Sequence, residues 1–118
     1  MPAPSSDDTA LVVLCTASDP ESAASLARAL VEARVAACVN LVPGLRSIYR
    51  WQNSVHDDAE VLLIVKTTVS RFDELESEIR RLHPYDTPEI IALDAARIEP
   101  RYAAWLSKAI ADEPEHEA

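Results

Sequence analysis

Glycine is almost absent from this chain of 118 residues, which contains only Gly44. Dinucleotide-binding and P-loop motifs need several glycines so that the backbone can approach phosphate groups closely. The nucleophile elbow of hydrolases likewise needs glycines on both sides of its serine. One glycine therefore excludes the common phosphate-binding loops and the serine elbow.

Basic charge is also scarce, because 11 Lys and Arg residues oppose 20 Asp and Glu residues and leave a net charge of −9. Sequence-independent nucleic-acid binding needs basic patches, so nucleic acid is not an expected partner. No apolar run approaches the roughly 18 residues that span a bilayer. Residues 1–9 lack the basic start and apolar segment of a secretion signal. We therefore expect a cytoplasmic protein without a membrane partner.

The two cysteines, Cys15 and Cys38, are too far apart for a CxxC or zinc-ribbon pattern. In a cytoplasmic chain they are expected to be reduced. No Ser/His/Asp arrangement can be assembled, so we do not expect an enzyme. The alternative is a small enzyme in which Cys15 and His83 form a thiolate pair.

Apolar spacing predicts alternating strands and helices. The continuous apolar run at residues 10–16 predicts a buried strand. Asp19 followed by Pro20 predicts the N-terminus of a helix whose buried face consists of Ala23, Leu26, Ala27, Leu30 and Ala33. The later pattern predicts a strand from residue 36 to residue 51 with a bend at Pro43-Gly44, a turn at residues 52–54, a strand at residues 59–68, a helix capped by Ser70 and ending near Leu82, a strand at residues 88–93, and a helix from Pro100.

This order predicts an α+β ferredoxin-like plait, βαββαβ with an antiparallel sheet, followed by an extra C-terminal helix. The domain covers residues 10–111, after a disordered N-terminal tail at residues 1–9 and before an acidic tail at residues 112–118. The strand core at residues 61–65 is apolar at every position, which indicates burial on both faces. Because the two plait helices cover one face, the last helix or another subunit must cover the other. We favour an oligomer.

The segment from His83 to Glu89, with the sequence HPYDTPE, combines two prolines with an imidazole, a phenol and two carboxylates. Each proline fixes its own φ and keeps the preceding residue out of the helical region. The segment therefore holds side chains that can bind a metal or a ligand on a stiffened backbone.

Five short motifs occur in an order that resembles one known family. They are Val13-Leu14-Cys15-Thr16, Ala36-Ala37-Cys38-Val39-Asn40, Ile48-Tyr49-Arg50-Trp51, Val65-Lys66-Thr67-Thr68, and the segment from His83 to Glu89. Together they resemble the CutA family, the divalent-cation tolerance proteins, over residues 10 to 111. The resemblance implies a tight homotrimer similar to the PII signalling proteins, and a link to copper and other divalent cations.

The resemblance also implies a copper site. Copper ligation in the family is attributed to positions that correspond here to Cys15 and His83. Some members carry two adjacent histidines before the proline, but the first of these positions is Leu82 in this chain. Leu82 also completes the apolar stripe of its helix, so we expect it in the core. A copper site of the family type would therefore lack one ligand here.

Each candidate residue also has an ordinary structural explanation. Cys15 lies in an apolar strand and can be a small buried hydrophobe, although its thiolate would suit Cu(I). His83 can complement a helix C-terminus. Lys66 can extend its ammonium group to the end of an apolar strand. Tyr85 can be a packed ring with a satisfied hydroxyl group, and Glu89 an exposed carboxylate.

The sequence therefore predicts a non-enzymatic cytoplasmic homotrimer that takes part in the response to divalent cations and binds copper modestly through Cys15 and His83. The alternative is a structural or signalling trimer. In that case clefts between subunits, lined by Trp51, Lys66, Tyr85 and Glu89, hold a small anion or receive a protein partner.

Overall fold

The computed structural model describes residues 8–111, which form one antiparallel sheet with helices. The sheet has the strand order β2-β3-β1-β4, which confirms the ferredoxin-like plait. The elements are β1 (Ala10–Ala17), α1 (Pro20–Glu32), β2 (Cys38–Trp51), β3 (Ser54–Thr68), α2 (Phe72–Leu82), β4 (Ile91–Asp94) and α3 (Pro100–Ala109), with a 3₁₀ turn at Val69–Arg71 before α2. Most residues of both predicted tails lie outside the described residues. The carbonyl of Thr9 accepts a hydrogen bond from the amide of Val69.

Helix α1 begins as the sequence predicts. The Asp19 carboxylate accepts a hydrogen bond from the Ser22 amide at 2.8 Å, and Pro20 occupies the first turn. The predicted buried face is confirmed for Ala23, Leu26, Ala27 and Leu30. It is wrong for Ala33, which is exposed because the helix ends at Glu32 and Ala33 is already the C-cap.

The main core lies between the sheet and the two plait helices. Alternate residues of β1 and β3 point toward α1 and α2, as the two-residue period of a strand requires. This core is built from small and branched apolar side chains, among them Val13, Cys15, Leu30, Leu63, Val65, Leu75 and Ile79, each of which has no exposed surface.

The opposite face of the sheet, here called the open face, is also apolar. Cross-strand partners share a face. The strand register therefore places Val12, Leu14, Leu62, Ile64, Ile91 and Leu93 together on it. Helix α3 covers one end, where Leu106 and Ile110 pack with Ala10 and Ala37. Two other large apolar residues of α3, Tyr102 and Trp105, are exposed. Burial of β3 was predicted on both faces and is complete in one chain only on the core face. Leu62 and Ile64 on the open face are half-buried, because α3 covers only part of this face.

A bulge interrupts the pairing of β2 with β3 at the predicted bend. Val42 pairs with Leu62 but Leu45 pairs with Glu60, so β2 contains one extra residue. Gly44 adopts φ +85°, which is a conformation that suits glycine. Because one extra residue reverses the alternation of side chains, Tyr49 and Trp51 share the open face with Glu60.

Other boundaries differ from the prediction. Strand β3 begins at Ser54 because β2 and β3 continue as a long hairpin, which Gln52 and Asn53 close with positive φ angles. Strand β4 is shorter than predicted, at Ile91–Asp94. Ser70 does not cap α2, since it lies in the 3₁₀ turn and its hydroxyl contacts that of Thr68 at 2.9 Å.

Helix α2 ends at Leu82, as the following His83-Pro84 pair predicts. Leu82 is nevertheless 37% exposed, so its expected place in the core is wrong. Leu75 and Ile79 of the apolar stripe of α2 are buried in the core. Leu82, the last residue of the helix, extends beyond the part of the stripe that is buried.

Candidate functional site

His83 joins the end of α2 to the end of β1. Its side chain is only 7% exposed, and its Nε2 lies 2.7 Å from the carbonyl oxygen of Thr16. The backbone amide of Tyr85 donates to Nδ1 at 3.2 Å. Because a carbonyl can only accept and an amide N–H can only donate, Nε2 carries the proton and Nδ1 accepts. Both nitrogens of a neutral imidazole are therefore engaged within the fold.

Cys15 lies beside this junction on the core face of β1. Its thiol has no exposed surface and donates weakly to the Thr16 carbonyl at 3.8 Å. Burial raises the pKa of the Cys15 thiol to about 12, and the negative charge of Glu89 adds to the effect. The thiol is therefore protonated at neutral pH, whereas a metal ligand must be the thiolate.

The structure thus brings Cys15 and His83 to the same carbonyl group, but not as ligands. Copper would need a thiolate from Cys15 and a free nitrogen lone pair from His83. Within residues 8–111 no group of three or more His, Cys, Asp or Glu side chains is placed to hold a metal ion. The arrangement in one chain therefore does not fit a copper ion, and the copper site at these two residues stays a prediction.

A cleft opens on the open face, where the hairpin approaches the segment at residues 83–89. We call it the aromatic–acidic cleft, and its volume is about 570 Å³. It contains three of the four predicted cleft residues, Trp51, Tyr85 and Glu89. The full lining is Thr16, Ser47, Ile48, Tyr49, Trp51, Glu60, Tyr85, Asp86, Thr87 and Glu89.

Hydrogen bonds from two tyrosines fix the wall of this cleft. The hydroxyl of Tyr85 donates to Glu60 at 2.8 Å, and that of Tyr49 donates to Asp58 at 2.5 Å. Burial, followed by the bond to Glu60, raises the pKa of Tyr85 to about 12. The bond to Asp58 raises the pKa of Tyr49. Both phenols therefore remain neutral donors, and both carboxylates are held at defined positions.

Lys66 does not line this cleft in the described chain. It lies six residues farther along β3 from Glu60, a distance of about 20 Å in an extended strand. Its ammonium group contacts the Asn40 side chain, and its Nζ is 3.8 Å from the Cys38 sulfur. One chain therefore does not bring Lys66 together with Trp51.

Sequence patterns did not indicate Tyr49 and Glu60, which complete the lining of the cleft, or Asp58, which accepts from the Tyr49 hydroxyl. Tyr49 and Glu60 share a face only because of the bulge after Val42. The signal was available in principle, because the predicted bend at Pro43-Gly44 implies a change of side-chain alternation.

Within residues 8–111, no helix is both long enough and apolar enough to cross a membrane.

Comparisons with known proteins agree with this architecture. Residues 11–109 match the family described as CutA1 divalent ion tolerance protein. The divalent-cation tolerance protein CutA of Thermus thermophilus is 54% identical over 95 residues, which cover 80% of this chain and 92% of that protein.

Two solved structures show the same fold. CutA1 from Oryza sativa superposes with a TM-score of 0.86 at 38% identity, covering 92% of this chain and all of that chain. The protein from Archaeoglobus fulgidus, described as a periplasmic divalent cation tolerance protein CutA, superposes with a TM-score of 0.84 at 30% identity, covering 86% and 99% of the two chains. The family match, the identity and the shared plait together place this chain in the CutA1 family of divalent ion tolerance proteins.

Proposed function

We propose that this chain acts in divalent-cation tolerance as a non-enzymatic homotrimer of the cytoplasm. The family match over residues 11–109 carries this proposal, together with the 54% identity to a relative named for divalent-cation tolerance. The cytoplasmic location comes from the sequence alone, and the relative described as periplasmic makes it a point to test.

The open face supports assembly with further copies. Ile91 and Leu93 of β4 are each 49% exposed although they continue the apolar surface of β1 and β3. On the opposite face of the hairpin, Ile48 and Val55 are exposed even more, at 67% and 64%. A two-stranded hairpin is marginally stable by itself, so an arm of this kind gains stability when another surface covers it. That the assembly contains three subunits is implied by the resemblance to the family.

Mass measurement on the untagged protein tests the assembly. A trimer of the 13.0 kDa chain has a mass of about 39 kDa by light scattering. Leu93→Glu places a charge on the open face and should lower this mass. Ala96→Glu adds the same charge at an exposed loop position and should leave the mass unchanged. A parent protein of monomer mass would contradict the proposal.

We propose that the protein binds copper with modest affinity. In one chain the Cys15 thiol is protonated and His83 has no free nitrogen, so a bound ion would need rearrangement here and further ligands from another subunit. Calorimetry with copper on the parent and on the double variant Cys15→Ala/His83→Ala decides the matter. A tenfold loss of affinity, about 1.4 kcal/mol, would assign the site to these residues. Equal affinities would remove both from copper binding.

The second candidate function is a signalling trimer that holds a small anion or a protein partner between subunits. The position of Lys66 favours it, since its ammonium group lies on the open face beside Asn40 and Cys38, where another subunit could approach. Thermal shifts with inorganic phosphate test this function. Stabilisation that disappears in Lys66→Ala supports it, and no response to phosphate counts against it.

A further inference from the structure

The aromatic–acidic cleft combines aromatic surfaces with negative charge. Trp51, which is 46% exposed, lines it together with Tyr49 and Tyr85. Glu60 and Glu89 contribute carboxylates, and Asp86 is a third acidic residue in the lining. Among the described residues, no lysine, arginine or histidine lines the cleft. The composition of its wall therefore disfavours an anion and favours a cation.

The geometry keeps this negative charge in place. The Glu60 carboxylate accepts from Tyr85, and the nearby Asp58 carboxylate accepts from Tyr49. The charges of Glu89 and Glu60 also reach Cys15, where they add to the effect of burial on the pKa of the thiol. The negative potential therefore has several sources on different elements of the fold.

The arrangement of the carboxylates argues against a bare metal ion as the occupant. A divalent metal such as Ca²⁺ takes six to eight oxygen ligands at short distances. Within residues 8–111 the acidic side chains do not form a group of three that could hold a metal ion. The volume of about 570 Å³ instead falls in the range of small-molecule sites.

Aromatic rings can bind a cation without the close set of oxygen ligands that dispersed carboxylates fail to provide. A cation over the face of a tryptophan or tyrosine ring is attracted by the ring quadrupole, and quaternary ammonium groups are recognised in this way. Trp51, Tyr49 and Tyr85 provide such rings in this cleft.

We propose that the aromatic–acidic cleft binds a small organic cation, whose alkylated ammonium group lies against the rings of Trp51 and Tyr85 and near the carboxylates of Glu60 and Glu89. This inference goes beyond metal tolerance, because it requires neither a metal ion nor metal ligation by Cys15 and His83.

Fluorescence of Trp51 tests the proposal directly. The chain contains two tryptophans, so Trp105→Phe leaves Trp51 as the only reporter. Choline is titrated at constant ionic strength, and 3,3-dimethylbutan-1-ol, its uncharged carbon isostere, is titrated in parallel. We expect a saturable change with choline, and an affinity at least tenfold weaker for the alcohol.

Two variants remove a carboxylate charge from the cleft while keeping the shape of the side chain, and a third is the control. Glu60→Gln removes the charge but keeps an oxygen that can accept from Tyr85, and it should weaken choline binding at least fivefold. Glu89→Gln, at an exposed position, should act in the same direction and serves if Glu60→Gln does not fold. Asp94→Asn makes an equal change of charge on β4 outside the cleft and should alter the affinity less than twofold.

Several results would overturn the proposal. They are the absence of a saturable signal at millimolar choline, equal affinities for choline and the alcohol, and equal losses in Asp94→Asn and the cleft variants. Inorganic phosphate that binds and displaces choline would also overturn it, in favour of an anion site. None of these results depends on whether the protein binds copper.

Discussion

The imidazole of His83 and the carbonyl of Thr16, 67 residues apart in the chain, lie 2.7 Å from each other. This bond connects the C-terminal end of α2 to the C-terminal end of strand β1. The same ring accepts the Tyr85 amide and packs at 4.5 Å from the Tyr85 ring. His83 therefore holds Tyr85 where it can reach Glu60, whether or not a metal ion is bound.

We expect His83→Ala to be strongly destabilising. It leaves the Thr16 carbonyl and the Tyr85 amide without their partner, and each unsatisfied buried group costs about 1–3 kcal/mol. The free energy of unfolding should fall by about 2–4 kcal/mol in urea titrations at one fixed protein concentration. His56→Ala, which removes a half-buried ring stacked on Tyr49, should cost clearly less. Equal losses in the two variants would contradict the role assigned to His83.

The two cysteines should differ in their reaction with an aromatic disulfide reagent. Cys38 is half-buried, and Cys15 is fully buried with a protonated thiol. The native protein at pH 8 should therefore release about one equivalent of thiolate quickly, and a second only in denaturant. The Cys38→Ala variant should show no fast reaction. A fast reaction in that variant would mean that Cys15 is accessible.

Stability should decline at alkaline pH because of Cys15. The pKa of its thiol is about 12 in the folded state, against 9.0 as the ordinary value. The unfolded chain therefore loses this proton first, and stability that is fully present below pH 9 is lost as the pH rises toward 12. The slope is at most about 1.4 kcal/mol per pH unit.

Unfolding experiments across this pH range check the assignment. Cys15→Ala should flatten the decline, and Cys38→Ala should retain it. Part of the decline should remain in Cys15→Ala from about pH 10, because the pKa of Tyr85 is also raised to about 12. If Cys15→Ala and the parent lose the same stability between pH 9 and pH 12, the Cys15 thiol is not the cause.

Gly44→Ala should cost about 1–2 kcal/mol. A Cβ atom at this position would meet no other atom within 4 Å, so the cost comes from the backbone angle of φ +85° alone. Gly44→Asn should cost less, because asparagine tolerates this region better. Urea unfolding measures both variants. An alanine variant as stable as the parent would mean that the bulge relaxes to another conformation.

Local signals predicted the fold well. Asp19-Pro20 marked the start of α1, and His83-Pro84 marked the end of α2, because capping and proline sterics act between neighbouring residues. Leu82 was misplaced because helical spacing identifies the face of a residue but not how far the covering element extends. Ser70 was misassigned because a 3₁₀ turn precedes the helix.

The candidate site was only partly predictable. Trp51, Tyr85 and Glu89 were selected from their motifs and do share the cleft. The bond of Tyr85 to Glu60 joins residues 25 positions apart, and no local pattern reveals it. Lys66 was grouped with Trp51 by resemblance, yet strand geometry separates them within one chain. The link of this chain to copper also comes from resemblance alone.

The bulge after Val42 makes the hairpin unusually sensitive to chain length. Surface loops generally tolerate insertions and deletions, so length changes at residues 43 and 44 would appear harmless. Here the deletion of one residue at the bulge would reverse which side chains of β2 lie on the open face. Tyr49 and Trp51 would then lie on the opposite face from Glu60, although none of these three residues had been changed. A deletion scan across β2 should therefore show a far greater loss of the cleft than a substitution scan of the same positions. We expect the length of this strand to tolerate change less well than its composition.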